Sequence, residues 1–277
     1  MRNICIGTGI GYELTRNEEI NYIKNAGFDG LFSGWQGTES ITQFAENVAK
    51  SGLRFEFIHA PFNEVYRLWH DIGSEEFTKE KERQKKCIED AADCGVPTVI
   101  MHASIGMDRH TPTAEGLEVW EEIAEFAYKK GVKIAVENTE GEEYLAMILE
   151  RFKSESTIGF CWDTGHEQCY NHGKDMTALY GDKLIATHLN DNMGQTSEEM
   201  TWLDDSHLLP FDGISDWQSV ADRLRKHNYT EALTLEVTVK NKPERTCNSI
   251  YEKLNFEEYL ALAYKKAADF RKLVEKQ

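Results

Sequence analysis

The chain has 277 residues, 40% hydrophobic and 29% charged. That supplies ample surface for a core and a solvated exterior, and it argues against both wholesale disorder and a membrane-embedded chain. Its 31 Lys and Arg stand against 48 Asp and Glu, a formal charge of −17, which repels phosphate backbones and anionic lipid, so neither nucleic acid nor a membrane is expected as a partner.

Short β-branched apolar runs alternate with longer amphipathic stretches from end to end. In chain order the expected strands cover 4–7, 30–33, 54–59, 98–102, 133–137, 158–163, 184–190 and 232–237. Eight is the count a closed (β/α)8 TIM barrel requires, and a single α/β domain over 1–277 is the expected organisation. The helical period shows in Phe77, Gln84, Cys87, Ile88 and Ala91, in Leu117, Trp120, Ala124 and Ala127, and in a last helix over 256–273. Gly27, Gly95-Val96-Pro97 and Gly131 mark helix ends. The basic stretch 79–86, interleaved with Glu80 and Glu82, reads as a solvated helix face.

Two connections are long, 60–74 and 191–213, and both follow strands at the end where barrels build active sites. Within the second, 191–204 reads as a polar surface insertion, with a lid as the other reading. Trp35 and Phe62 are placed to stack on a sugar ring, whereas Trp69 reads as packing. The six cysteines form no CxxC pair, so neither structural zinc nor a disulfide framework is indicated. With no signal-peptide pattern at the start, a cytoplasmic location is the expectation.

The chemistry-bearing residues recur at strand ends. His59 follows Arg-Phe-Glu-Phe-Ile, His102 follows Thr-Val-Ile-Met, Glu137 follows Ile-Ala-Val, and Asp163 follows Gly-Phe-Cys-Trp; His166, His188, Asp205, His207 and Glu236 continue the series. Taken singly, His59 or His102 suits a hydrogen-bonded rim and Asp163 suits the N-cap of the following helix. Glu137 and Glu236 are different, because a carboxylate desolvated at the end of an apolar strand demands a cation or a donor. Carboxylate and imidazole without thiolate suit Mn²⁺, Zn²⁺, Mg²⁺ or Co²⁺.

The segments Ile58-His59-Ala60-Pro61-Phe62, Val136-Glu137-Asn138, Asp163-Thr164-Gly165-His166, His188-Leu189-Asn190-Asp191, Asp205-Ser206-His207-Leu208-Leu209-Pro210 with Gly213 and Trp217, and Leu235-Glu236-Val237 resemble the xylose isomerase-like TIM barrels. That superfamily includes sugar and sugar-phosphate isomerases and epimerases and the endonuclease IV type of apurinic endonuclease. The resemblance spans essentially the whole chain. Similarity to the keto-sugar epimerases implies one divalent metal on Glu137, Asp163, His188 and Glu236, with Glu137 and Glu236 as an acid/base pair on opposite faces of a small polyhydroxy carbonyl substrate. His59, His102, His166, His207, Trp35 and Phe62 would then surround that substrate. Similarity to endonuclease IV implies instead a trinuclear zinc cluster on His59, His102, Glu137, Asp163, His166, His188, Asp205, His207 and Glu236. The chain departs from the epimerases at Asn192-Met193-Gly194, where they commonly carry an Arg.

A metal-dependent sugar or sugar-phosphate isomerase or epimerase, working through an enediolate, is therefore the leading expectation. A zinc-cluster phosphodiesterase, an inosose dehydratase-type lyase and a non-catalytic sugar-binding barrel are the alternatives. The pattern leaves oligomeric state open, a homo-oligomer included.

Overall fold

A computed structural model of the protein describes residues 1–108 and 111–276. Strands and helices alternate along it: β1 (Ile4–Gly7), α1 (Arg16–Ala26), β2 (Gly30–Gly34), α2 (Thr38–Ser51), β3 (Arg54–His59), α3 (Glu75–Asp93), β4 (Thr98–His102), α4 (Ala114–Lys130), β5 (Lys133–Glu137), α5 (Glu142–Arg151) and β6 (Ile158–Asp163). Two short helices follow, α6 (Thr164–Cys169) and α7 (Met176–Tyr180), then β7 (Leu184–His188), α8 (Trp217–Lys226), β8 (Leu233–Leu235) and α9 (Phe256–Glu275). Helix ends carry the expected chemistry. Thr15 and Glu18 form a capping box before α1, Asn255 and Glu258 one before α9, and Gly27 and Gly131 close α1 and α4 in the left-handed conformation.

The eight strands run in the order β7-β6-β5-β4-β3-β2-β1-β8, parallel throughout. Closure between β7 and β8 is looser than elsewhere: a single bridge joins Leu189 to Leu235, with Leu189 N donating to Thr234 O at 2.7 Å. The barrel is thus a nearly closed (β/α)8 TIM barrel. At this seam the Thr187 hydroxyl reaches Ala232 O at 3.3 Å and receives Thr234 N at 3.4 Å, so a side chain stands where ladder bonds would otherwise run. β7 ends at His188, opposite Asp163, the last residue of β6, and β8 ends at Leu235, paired with Ile6 of β1, rather than at the expected 190 and 237.

Apolar side chains form two layers. Phe32, Phe57, Ile100, Ala135, Cys161 and Ala186 fill the barrel interior, while a larger cluster including Trp69, Trp120, Phe160 and Phe270 lies with the sheet and helices. Trp69 is packing, fully buried with its indole N–H on Ala103 O at 2.6 Å. The stretch 79–86 is only partly the solvated face expected of it: Glu80 is buried, held by Arg83 at 2.7 Å and Gln84 at 2.6 Å. The six cysteines are all free. Among the described residues no helix is long and apolar enough to cross a membrane.

Candidate metal centre at the carboxyl end of the barrel

Side chains two apart on a strand share a face. Phe57, Ile100, Ala135, Cys161 and Ala186 fill the interior, so His59, His102, Glu137, Asp163 and His188, each two residues further on, point into the same space at the carboxyl mouth. The apolar cluster is their floor. His166 joins them from the first turn of α6, and Asp205 and His207 from the loop after β7. Glu236 lies one residue past β8.

Glu137 is the hub. Its Oε1 lies 2.7 Å from His188 Nδ1, and its Oε2 lies 3.3 Å from Nε2 of both His59 and His102. His188 Nδ1 is also 2.9 Å from Glu236 Oε2, so the two glutamates converge on one ring nitrogen. A second focus forms around Asp205, with His207 Nε2 at 3.0 Å and His166 Nε2 at 3.6 Å. Among the described residues, donor atoms gather within 4.8 Å of one another in three overlapping groups, His59–His102–Glu137, His59–His188–Glu236 and Glu137–Asp163–His188–Glu236, and in one separate group, His166–Asp205–His207.

The hydrogen bonds around these rings test whether they suit a cation. His59 Nδ1 is 2.8 Å from Ala60 O, His166 Nδ1 3.0 Å from Asn138 O, and His207 Nδ1 2.9 Å from Glu236 O. A carbonyl only accepts, so each Nδ1 carries the proton, and in the neutral ring each Nε2 turns a lone pair toward a carboxylate. Acceptor facing acceptor is stable only with a proton or a cation between them. Orientation of a ligating imidazole by a backbone carbonyl is the usual arrangement behind metal ligands, and these residues fit one.

The same crowding sets the protonation of the site. Burial opposes ionisation of Glu137, but His188, His102 and His59 outweigh it and hold the carboxyl well below its ordinary range. Burial likewise opposes charge on His207, yet Asp205 pushes it up to about 9; His166 and His188 are raised well above their ordinary value by Asp163 and Asp205 and by Glu236 and Glu137, respectively. Asp163, unlike Glu137, is pushed up, to about 6, because burial dominates.

Asp163 has two roles in the geometry. Its Oδ1 caps α6 by accepting His166 N at 2.6 Å, as its sequence position suggested, while Oδ2 accepts from Asn190 Nδ2 at 2.8 Å. Asn138 brackets the same residue, its Oδ1 accepting Asp163 N at 2.8 Å and its Nδ2 donating to Asp163 O at 2.9 Å. Asp191 braces the following loop by accepting Trp217 Nε1 at 2.8 Å.

Above the floor lie two neighbouring cavities, of about 470 and 450 Å³, that share His59, Phe62, His207 and Glu236. Phe62 stands between them, stacked on His102 with ring centres 4.5 Å apart. Trp35 lines the second cavity, its indole N–H fixed to Asp90 at 2.8 Å. His102 and His166 line the first. Glu137, Asp163 and His188 are buried beneath.

Sequence reasoning missed Tyr170, Trp202 and Lys242, which line the first cavity. Trp202 belongs to the segment read as a surface insertion. That segment is instead braced against the mouth, for Arg245 Nε donates to Asp204 Oδ1 at 2.9 Å and the Lys242 ammonium sits over the Trp202 ring. A lone tryptophan in a long post-strand loop was the available signal.

The fold and this polar mouth define a barrel of the kind that carries its chemistry at the carboxyl ends of its strands. The chain belongs to the xylose isomerase-like TIM barrel family, whose description matches residues 20–255. Solved structures with the same fold include a D-psicose 3-epimerase crystallised in the presence of D-fructose, 15% identical over 99% of this chain and 100% of that one, TM-score 0.76. They also include a D-psicose 3-epimerase with D-tagatose from Clostridium cellulolyticum H10, 15% identical over 99% and 100%, TM-score 0.74. An uncharacterized protein, y4fM, from Sinorhizobium fredii (strain NBRC 101917 / NGR234) is 27% identical over 93% of this chain and 94% of its own.

Proposed function

We propose that the protein, as one catalytic barrel over 1–277, is a metal-dependent isomerase or epimerase of a small polyhydroxy carbonyl compound, with sugars and sugar phosphates both in scope. The observation that carries this reading is the convergence of Glu137 Oε1 and Glu236 Oε2 on His188 Nδ1, at 2.7 and 2.9 Å. Glu137, Asp163, His188 and Glu236 would hold a divalent ion. When bound, such an ion supplies Lewis acidity toward a carbonyl and its neighbouring hydroxyl, lowering the barrier to loss of the α-proton.

The remaining work falls to the chain's own groups. Glu236 lines both cavities and has direct access to a substrate carbon, so it takes the proton. Glu137, which meets the same His188 nitrogen from beneath the mouth, would be the partner carboxylate. Return of that proton by Glu236 to the neighbouring carbon gives isomerisation; epimerisation requires Glu137 to enter the step already protonated and to deliver its own proton to the opposite face while Glu236 keeps the one it took, both then exchanging with solvent; loss of a β-hydroxyl as water from the same enediolate would make a dehydratase. His59 and His166, pinned through Nδ1, are positioned to orient substrate oxygens, and Trp35 and Phe62 offer ring faces.

A second reading has one observation in its favour. The separate group His166–Asp205–His207 is more than a single-ion site needs, and with the others it matches the three-ion arrangement of a phosphoester hydrolase. Metal analysis separates the two, about one ion per chain for the first and about three for the second. Incubation of the metal-loaded protein with a panel of ketoses, inososes and their phosphates in D₂O completes the test. Deuterium at a carbon next to the carbonyl supports the leading reading, and three ions with phosphoester cleavage and no exchange overturns it.

A further inference from the structure

Most polar groups that line the first cavity already have partners. His59, His166 and His207 are pinned through Nδ1, Asp205 lies between two of those rings, and the Lys242 ammonium lies 3.6 Å from Asp205 and over the Trp202 ring. Two further lining residues are less fully paired. Tyr170 is 7% exposed, its ring centre 4.9 Å from that of His166, and its hydroxyl has no hydrogen-bond partner among the described residues. Glu140 is 8% exposed; its Oε1 accepts Gly106 N at 2.8 Å, and its Oε2 has no partner among those residues. Neither oxygen is sealed within the fold, so both open onto the cavity that their residues line.

The two residues stand side by side. Asn171, next to Tyr170, donates through Nδ2 to the carbonyl of Thr139, next to Glu140, at 3.1 Å, and its Oδ1 receives Asn138 Nδ2 at 2.9 Å. A phenol is protonated at neutral pH and can donate, whereas a carboxylate only accepts. One group that satisfies both must accept from Tyr170 and donate to Glu140, and a hydroxyl does so. A phosphate dianion accepts only, and it would lie against the Glu140 and Asp205 carboxylates, with the one Lys or Arg among the described lining residues already turned to Asp205.

We infer that Tyr170 and Glu140 determine specificity by holding one unesterified hydroxyl of the substrate, the phenol donating to it and Glu140 Oε2 accepting from it. This rests on the proposed function for the substrate's class, a polyhydroxy carbonyl compound whose reacting carbon lies at Glu236, a residue that lines the same cavity. At about 470 Å³ that cavity is in the size range of small-molecule sites. The hydroxyl so held lies outside the carbonyl and its neighbouring hydroxyl, and esterifying or deleting it removes what the two residues recognise.

The test is calorimetric binding, to the Mn²⁺-loaded protein, of D-fructose, D-tagatose and D-psicose, of their monodeoxy analogues and of their monophosphates. At least one ketose binds. Tyr170→Phe, which keeps the ring on His166, weakens its binding by about fivefold or more. One deoxy analogue, already weaker by a similar factor with the unsubstituted protein, loses nothing further in that variant. The phosphate at the same carbon binds at least about tenfold more weakly than the free ketose, and Glu140→Gln, which puts a donor where an acceptor stood, narrows that gap. Circular dichroism verifies the fold of both variants. The inference is overturned if no ketose binds, if Tyr170→Phe changes the affinity of every compound by one factor or of none, if the phosphate binds as tightly as the free ketose, or if Glu140→Gln leaves the gap unchanged. Coupling between Tyr170 and one hydroxyl without deuterium exchange would retain the subsite and remove the proposed reaction, and exchange without coupling would do the reverse.

Discussion

Gly165 and Asn190 occupy adjoining space with none to spare: a Cβ built on Gly165 would lie 2.9 Å from Asn190 Cγ and closer still to its amide oxygen. The amide is held there because its Nδ2 donates to Asp163 Oδ2 at 2.8 Å. The glycine in Asp163-Thr164-Gly165-His166 is thus a requirement of close approach and not of backbone conformation, since its φ is not positive. Gly165→Ala must push Asn190 off Asp163. We expect a loss of about 1–3 kcal/mol in stability and weaker metal retention, measured by thermal unfolding and by metal content after dialysis; a variant that retains both would show that Asn190 does not position Asp163.

Glu137 and Glu236 differ in exposure, and their substitutions separate accordingly. Glu137 is fully buried among His59, His102 and His188, whereas the Glu236 side chain is about a quarter exposed. Glu137→Gln should reduce metal content and destabilise the fold. Glu236→Gln should retain more metal yet reduce deuterium exchange by about 10²-fold or more, the range for removing a general acid or base. Equal metal loss in both, with exchange intact, would contradict the assignment of Glu236 as the proton carrier.

Glu19 makes stability depend on pH. It is buried on α1, its Oε2 accepts Gly9 N at 2.7 Å, and its Oε1 has no hydrogen-bond partner. Burial pushes it up to about 7 from an ordinary 4.5. The folded state therefore holds the proton more tightly than the unfolded chain, and stability falls as pH rises from 4.5 to 7, by up to about 3 kcal/mol. Glu19→Gln should remove most of that slope. Denaturant unfolding at pH 5 and pH 8 is the measurement: wild type and variant differ more at pH 8, and parallel profiles would contradict the burial of the charge.

Arg245 holds the loop after β7 in place. It donates to Asp204 Oδ1 at 2.9 Å and to Thr196 Oγ1 at 2.8 Å, and Asp204 is buried. Arg245→Ala strands that carboxylate with Thr196 as its remaining side-chain partner, at a cost of about 3–5 kcal/mol. Limited proteolysis should then cut within 191–208, a segment that includes Asp205 and His207, while Arg245→Lys partly restores protection. Unchanged protection in the alanine variant would show that the loop is held by other contacts.

What the chain announced by itself was the barrel and the ends of its strands. Short apolar runs closing on His59, His102, Glu137 and Asp163 are local features, and any parallel barrel carries strand-end side chains to one mouth. Gly27 and Gly131, at helix ends, are equally local. The early end of β7 was not legible, because it follows from the register that sets His188 opposite Asp163, where β6 itself ends and α6 begins. Nor was the pairing of donors: that His188 bridges Glu137 to Glu236, and that Asp205 takes His166 and His207, follows from strand register and from a loop braced by Arg245. Trp202 and Lys242 line the mouth from loops 40 residues apart in sequence, and the Phe62 ring lies flat on His102 from another strand end. Local sequence encodes which atoms are available at a strand end, whereas distances between them arise when segments far apart in the chain pack, and it is those distances that decide what the atoms can hold.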